Sequence, residues 1–264
     1  MIERMLSPSP NSTVVTCVSD TLSVGSGELV ANRNISYGPL QRQKYNIYRP
    51  AHSAANAPVI VFIYGGAWRR GSRKQYSFIG KALAKQGFVA VVPDYRVYPR
   101  VKFPTFVEDA ALAVAAIRKR VSPDRAVFLM GHSAGAHITA LLTLDKSYLS
   151  RVGLNVCRDI AGFTGVAGPY DFNPPPRGKF SAIFPEALRA KSKPINFKSD
   201  NYPPILLLHG DVDRTVPPGH SRRLHSRLKK FGADADLKIY RSVGHVGIIG
   251  AYSTIVSTQA RTPT

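Results

Sequence analysis

Apolar residues fall into short unbroken runs separated by longer amphipathic stretches. Pro58–Tyr64 carries Val59, Ile60, Val61, Phe62 and Ile63 in succession, and Gly87–Val92, Ala126–Met130 and Pro203–His209 repeat the pattern. Runs of this length without alternation predict strands covered on both faces. Thr105–Arg120 and Ala134–Leu144 have helical patterns. A further helix starts near Pro217 and turns Leu224, Leu228 and Phe231 to one side. Leu237–Tyr240 predicts a last strand. Strands alternating with helices build βαβ units, so the fold class is α/β, a mostly parallel sheet flanked by helices on both faces.

At 264 residues the chain fits one such domain, and no internal repeat or interdomain linker divides it. Residues 1–30, beginning Ser/Pro-rich and then rich in Ser, Thr and Gly, carry little pattern. Residues 171–204 are proline-rich and read as an insertion, a small cap above the sheet. After His245 the chain runs Val246 to Tyr252 and then fades into polar residues, which predicts one short helix and a frayed tail over 250–264.

The junction of the Ala126–Met130 strand with the Ala134–Leu144 helix reads Gly131-His132-Ser133-Ala134-Gly135. A strand turning this sharply into a helix strains its corner residue, and side chains beside it would collide. The corner residue is Ser133, whose hydroxyl is pushed out at the carboxyl end of the sheet. A serine hydroxyl needs a base to act as nucleophile, and the base needs an orienting carboxylate. His245 follows the last strand and a glycine, and it comes after the candidate acids. Asp213, mid-loop after the Pro203–His209 strand, is the preferred acid. Asp211 reads as a brace for the turn, and Asp171, one strand earlier, is the third candidate. All of these loops lie on the sheet edge where open α/β folds place their sites. Among the other histidines, His132 lies inside the elbow, His137 reads as packed, and His209 as fixing its turn by hydrogen bonding. One oxyanion donor is the N–H of Ala134. The other comes from the small residues of Gly65-Gly66-Ala67-Trp68.

These motifs resemble the small esterases of the α/β-hydrolase superfamily that carry a His-Gly-Gly-x-Trp oxyanion motif. Feruloyl and acetyl esterases, isoprenylcysteine methylesterases and kynurenine formamidases belong to that group. The resemblance runs from about Ile35 to Ile249 and also rests on Asp94-Tyr95-Arg96, Gly168-Pro169-Tyr170-Asp171-Phe172 and Gly244-His245. It implies an α/β-hydrolase fold, a catalytic set of Ser133, Asp213 and His245, and loop amides from Gly66 and Ala67 beside that of Ala134. Tyr64 stands where the group usually has the histidine that braces the oxyanion loop. The expected activity is that of a serine carboxylesterase acting through an acyl-enzyme on a small-molecule ester. An amidase or arylformamidase of the same fold is the alternative. From another class, a non-catalytic binding module could keep the fold. Peptidases of this fold usually carry a large extra domain, for which this length leaves no room. Trp68, Tyr170, Phe180 and Phe184 are candidates to shape the substrate pocket.

The chain carries 36 Lys and Arg against 16 Asp and Glu, a net charge of +20. Part of this excess lies on the basic face of the helix carrying Arg222, Arg223, Arg227, Lys229 and Lys230, a solvated-face pattern. Arg69, Arg70, Arg73 and Lys74 follow the oxyanion loop, where they read either as a solvated face or as a cluster steering anionic esters. No nucleic-acid motif accompanies the charge, so no specific nucleic-acid partner is expected. Metal, nucleotide and flavin signatures are absent, so no cofactor and no metal is expected. Cys17 and Cys157 are far apart and in no metal spacing. No apolar run reaches the length of a membrane span, and a cytoplasmic location is the default.

Overall fold

A computed structural model describes residues 28–198 and 201–250. The weakly patterned stretch 1–27 and the expected tail over 251–264 lie outside the described residues. Eight strands form one sheet: β1 (Leu29–Ser36), β2 (Lys44–Pro50), β3 (Val59–Ile63), β4 (Val89–Pro93), β5 (Val127–His132), β6 (Gly162–Val166), β7 (Ile205–Gly210) and β8 (Ala235–Tyr240). Their order is β1-β2-β4-β3-β5-β6-β7-β8, with β1 and β2 antiparallel and β3 through β8 parallel. Every residue of β3, β4, β5, β6 and β7 is buried. That is why these strands read as continuous apolar runs rather than alternating ones.

The flanking helices are α1 (Ser77–Lys85), α2 (Thr105–Arg120), α3 (Ala134–Leu144) and α7 (Gly219–Lys230), with short α4 (Ser147–Ser150), α5 (Val156–Asp159) and α6 (Lys179–Ile183) between. All of α3 is buried, so this helix is covered on every side. By contrast α7 buries Ser221, Leu224 and Leu228 and leaves Arg222, Arg223, Lys229 and Lys230 exposed, the solvated basic face its spacing predicted. The 171–204 segment contributes α6 and two 3₁₀ turns, Glu186–Leu188 and Pro194–Asn196. A helical turn over 247–250 follows His245. Among the described residues, no helix is long and apolar enough to cross a membrane.

Candidate active site

Ser133 sits at φ 55° and ψ −121°, a left-handed conformation unfavourable for a residue with a side chain. Two close approaches hold it there. A Cβ on Gly131 would lie 2.4 Å from the Gly135 carbonyl oxygen, and one on Gly135 would lie 1.9 Å from that of Ile63. The elbow therefore closes only with glycine at both positions. The Ser133 N–H donates to the Val166 carbonyl at 2.9 Å, tying the corner to the end of β6.

His245 and Asp213 meet the serine from the loops after β8 and β7. Ser133 Oγ lies 2.9 Å from His245 Nε2, and His245 Nδ1 lies 2.7 Å from Asp213 Oδ2. The carboxylate fixes the tautomer: Nδ1–H donates to Asp213, which leaves Nε2 free to accept from the serine hydroxyl. The Asp213 side chain has no exposed surface. Its Oδ1 accepts from the N–H groups of Thr215 and Val216, both at 2.9 Å, so the carboxylate is locked in its own loop. His209 Nε2, 3.3 Å from Asp213 Oδ2, donates to the Val216 carbonyl at 2.8 Å, and its Nδ1 pairs with Ser221 Oγ at 2.7 Å.

The other two carboxylates are engaged elsewhere. Asp211 Oδ1 accepts from the Ser242 N–H at 2.7 Å. Ser242 has φ 58°, so Asp211 braces a strained turn three residues before His245. Asp171 pairs with Arg223 of α7 at 2.7 Å, while His245 Nδ1 is taken up by Asp213.

The candidate oxyanion donors come from two backbone segments, and the loop after β3 lies against the serine: a Cβ on Gly65 would be 2.9 Å from Ser133 Cβ. Ala67 and Trp68 both take positive φ, 53° and 58°, which bends the loop after β3 back on itself. No acceptor among the described residues takes up the N–H of Gly66, Ala67 or Ala134. Ala134 is also the first residue of α3, where the helix dipole favours negative charge.

Tyr64 braces this loop by a route that sequence reasoning missed. Its hydroxyl donates to Asp94 Oδ1 at 2.8 Å and accepts from Arg42 Nη2 at 2.8 Å. Arg42 Nη2 also reaches the Gly71 carbonyl at 2.8 Å, while Asp94 Oδ1 accepts the Arg73 N–H at 2.6 Å. Both ends of the 64–73 loop are thereby pinned to one carboxylate and one guanidinium. Burial pushes the Tyr64 phenol well above its ordinary range, so it stays a neutral donor. Removing it by Tyr64→Phe leaves a buried carboxylate and a half-buried guanidinium short of a partner, a loss of about 1–3 kcal/mol. We expect a lower melting temperature together with a lower kcat, read by calorimetry and by ester turnover on one preparation. An unchanged kcat would separate this network from the oxyanion loop.

Arg73 belongs to the same network rather than to the steering cluster. It is buried and salt-bridged to Asp94 Oδ2, with further hydrogen bonds to Asn34 and Asn46. Only Arg69, Arg70 and Lys74 of that group are exposed.

The pocket aromatics also divide. Tyr170 and Phe184 have no exposed surface and Trp68 almost none, so none of the three presents a face to solvent, and only Phe180 is partly exposed. Tyr170 packs under the chain where Gly165 and Gly168 leave room for its ring. Trp68 is instead the hub of an aromatic cluster. Its ring lies 4.8 Å from Phe184, 5.8 Å from Phe172, 6.2 Å from Phe180 and 5.0 Å from His137. His137 Nδ1 accepts from Trp68 Nε1 at 3.3 Å, and its Nε2–H donates to the Ser192 carbonyl at 2.6 Å. One imidazole thus joins the oxyanion loop, α3 and the 171–204 segment. Burial depresses its pKa to about 4, so it stays neutral at physiological pH.

His132 lies inside the elbow as its sequence position implied, but its contacts with His245 were not legible beforehand. Its ring lies 4.9 Å from that of His245, and its Nε2–H donates to the His245 carbonyl at 3.1 Å. Burial lowers it to about 4 as well, so an uncharged ring stands beside His245.

An eight-stranded, mostly parallel sheet with a strained serine elbow and a hydrogen-bonded Ser-His-Asp set defines an α/β-hydrolase. The prolyl oligopeptidase family pattern matches residues 105–261, and the BD-FAE pattern matches residues 45–164. The chain belongs to the prolyl oligopeptidase family. It is 29% identical over 243 residues to an isoprenylcysteine α-carbonyl methylesterase of Arabidopsis thaliana, covering 82% of this chain and 56% of that protein. It is 31% identical over 225 residues to esterase LipC of Mycobacterium tuberculosis, covering 76% of this chain and 55% of that protein. The chain thus spans little more than half the length of these relatives. Among solved structures, a truncated carbohydrate esterase from gut microbiota superposes with a TM-score of 0.72 at 21% identity, over 91% of this chain and 98% of that one.

Proposed function

We propose that the protein is a serine carboxylesterase that cleaves small-molecule esters through an acyl-enzyme. The observation that carries this reading is the unbroken hydrogen-bonded line Ser133–His245–Asp213 beside three N–H groups without an acceptor. In this mechanism His245 Nε2 takes the Ser133 proton as Oγ attacks the ester carbonyl, and Asp213 stabilises the imidazolium that forms. The carbonyl oxygen becomes an oxyanion held by the N–H groups of Gly66, Ala67 and Ala134, each such donor typically contributing ~2.7–4 kcal/mol. His245 then protonates the leaving alcohol, and the same groups activate water to release the acid. No triad member is missing, which weighs against a non-catalytic module. A cytoplasmic location is part of this reading.

The test is a panel of p-nitrophenyl esters of increasing acyl length beside an aryl formamide. Ester turnover exceeding formamide turnover by at least tenfold in kcat/KM is the expected result. The reverse ratio would make the protein an arylformamidase. No turnover of either would favour the binding module.

A further inference from the structure

Part of the basic excess of this chain gathers around one concavity outside the catalytic set. A cavity of about 600 Å³ lies between the residues leading into β2, the loop after β3 and the loop after β4. Neither Ser133, Asp213 and His245 nor Gly66, Ala67 and Ala134 line it. Arg42, Lys44, Arg69, Arg73, Lys74 and Arg100 do, against a single carboxylate, Asp94.

That carboxylate is already engaged. Asp94 accepts from Tyr64, from the Arg73 backbone and from the Arg73 guanidinium. Arg42 is likewise tied to Tyr64, Tyr95 and Gly71. Four cations are left over. Among the described residues, no carboxylate lies within ion-pair distance of Lys44, Arg69, Lys74 or Arg100. Like charges gathered around one concavity repel one another, and its walls focus the field on whatever enters. Arg69 is held at the wall, its guanidinium 5.7 Å from the centre of the Tyr98 ring.

We propose that this cavity binds an organic phosphate: a small molecule whose phosphate or diphosphate is held by Lys44, Arg69, Lys74 and Arg100. Four cations without a carboxylate partner among the described residues match a ligand of charge −2 or more better than a lone carboxylate. The volume exceeds what one phosphate needs and falls within the ~300–1,000 Å³ of small-molecule sites. Val97, Tyr98 and Pro99 line the same space and offer an apolar surface for the organic part. A bound ligand would also press on the oxyanion loop. The Tyr98 N–H donates to the Trp68 carbonyl at 2.9 Å, and the Arg69 N–H to that of Gly66 at 3.1 Å.

The probe is inorganic pyrophosphate, titrated calorimetrically into the full chain at 0.15 M salt. Saturable binding at one site is expected. The exposed pair Lys74→Ala with Arg100→Ala should weaken it at least tenfold. Removing the same number of charges at the end of α7, Lys229→Ala with Lys230→Ala, should leave it within twofold. Absence of saturable binding, or equal weakening by both pairs, would overturn the site and reduce the charge to a diffuse field. Phosphatidylglycerol vesicles form the second arm. Vesicle binding displaced by pyrophosphate supports the cavity, with a lipid headgroup as the phosphate source. Vesicle binding that pyrophosphate leaves untouched, without soluble binding, would assign the charge to a membrane surface instead.

Discussion

Ser133→Ala should lower ester turnover by about 10⁵–10⁶-fold, the scale on which a serine hydrolase loses rate when its nucleophile is removed. The hydroxyl is the only group at the elbow that can form the acyl bond. His132 beside it is neutral, buried and engaged with the His245 carbonyl. The fold should survive. Alanine keeps Cβ and loses only Oγ, the strained backbone is unchanged, and the glycines at 131 and 135 still allow the close approaches. One partly exposed hydrogen bond is lost, so the melting temperature should move by only a few degrees. The measurement is kcat/KM on a p-nitrophenyl ester together with thermal unfolding. Activity retained in a clean preparation would remove Ser133 from the mechanism.

Asp213→Asn should lower kcat by about 10⁴-fold, as the corresponding change does in the serine-protease case. The amide oxygen can still accept from the Thr215 and Val216 N–H groups, so the loop keeps its shape. The NH₂ then faces His245 Nδ1 and donates to it. That reverses the tautomer and puts a proton on Nε2, where the serine hydroxyl needs an acceptor. Asp171→Asn provides the contrast, because its partner is Arg223 on the surface of α7. It should leave kcat within about twofold, while Asp211→Asn should act mildly through the Ser242 turn. If Asp171→Asn proved inactive and Asp213→Asn active, the acid would lie after β6 rather than after β7.

The centre of the sheet was legible because burial on both faces leaves a direct mark on sequence, an unbroken apolar run. The antiparallel strands β1 and β2 were not. β1 exposes most of its side chains, so nothing in its residues distinguishes it from a loop. Within the site, Ser133, Asp213 and His245 were legible because each follows a readable strand, and topology brings those loops to one edge. The bracing of the oxyanion loop was not legible. Tyr64, Arg42, Arg73 and Asp94 come from four places in the chain and meet only once the sheet has formed. Adjacency misled in the same way at Arg73, which follows Arg69 and Arg70 in sequence but turns inward to a buried carboxylate. Tyr170 and Phe184 show the same limit. An aromatic residue near a site looks identical in sequence whether its ring faces a substrate or the core.

The most direct test of the central claim is to react the protein with a fluorophosphonate at one equivalent and map the adduct by peptide mass spectrometry. A single adduct on Ser133, formed in proportion to the loss of ester turnover and absent from Asp213→Asn on the same time scale, is the predicted result. Full inactivation with the adduct on any other residue, or an unmodified Ser133 in inactivated enzyme, would contradict it.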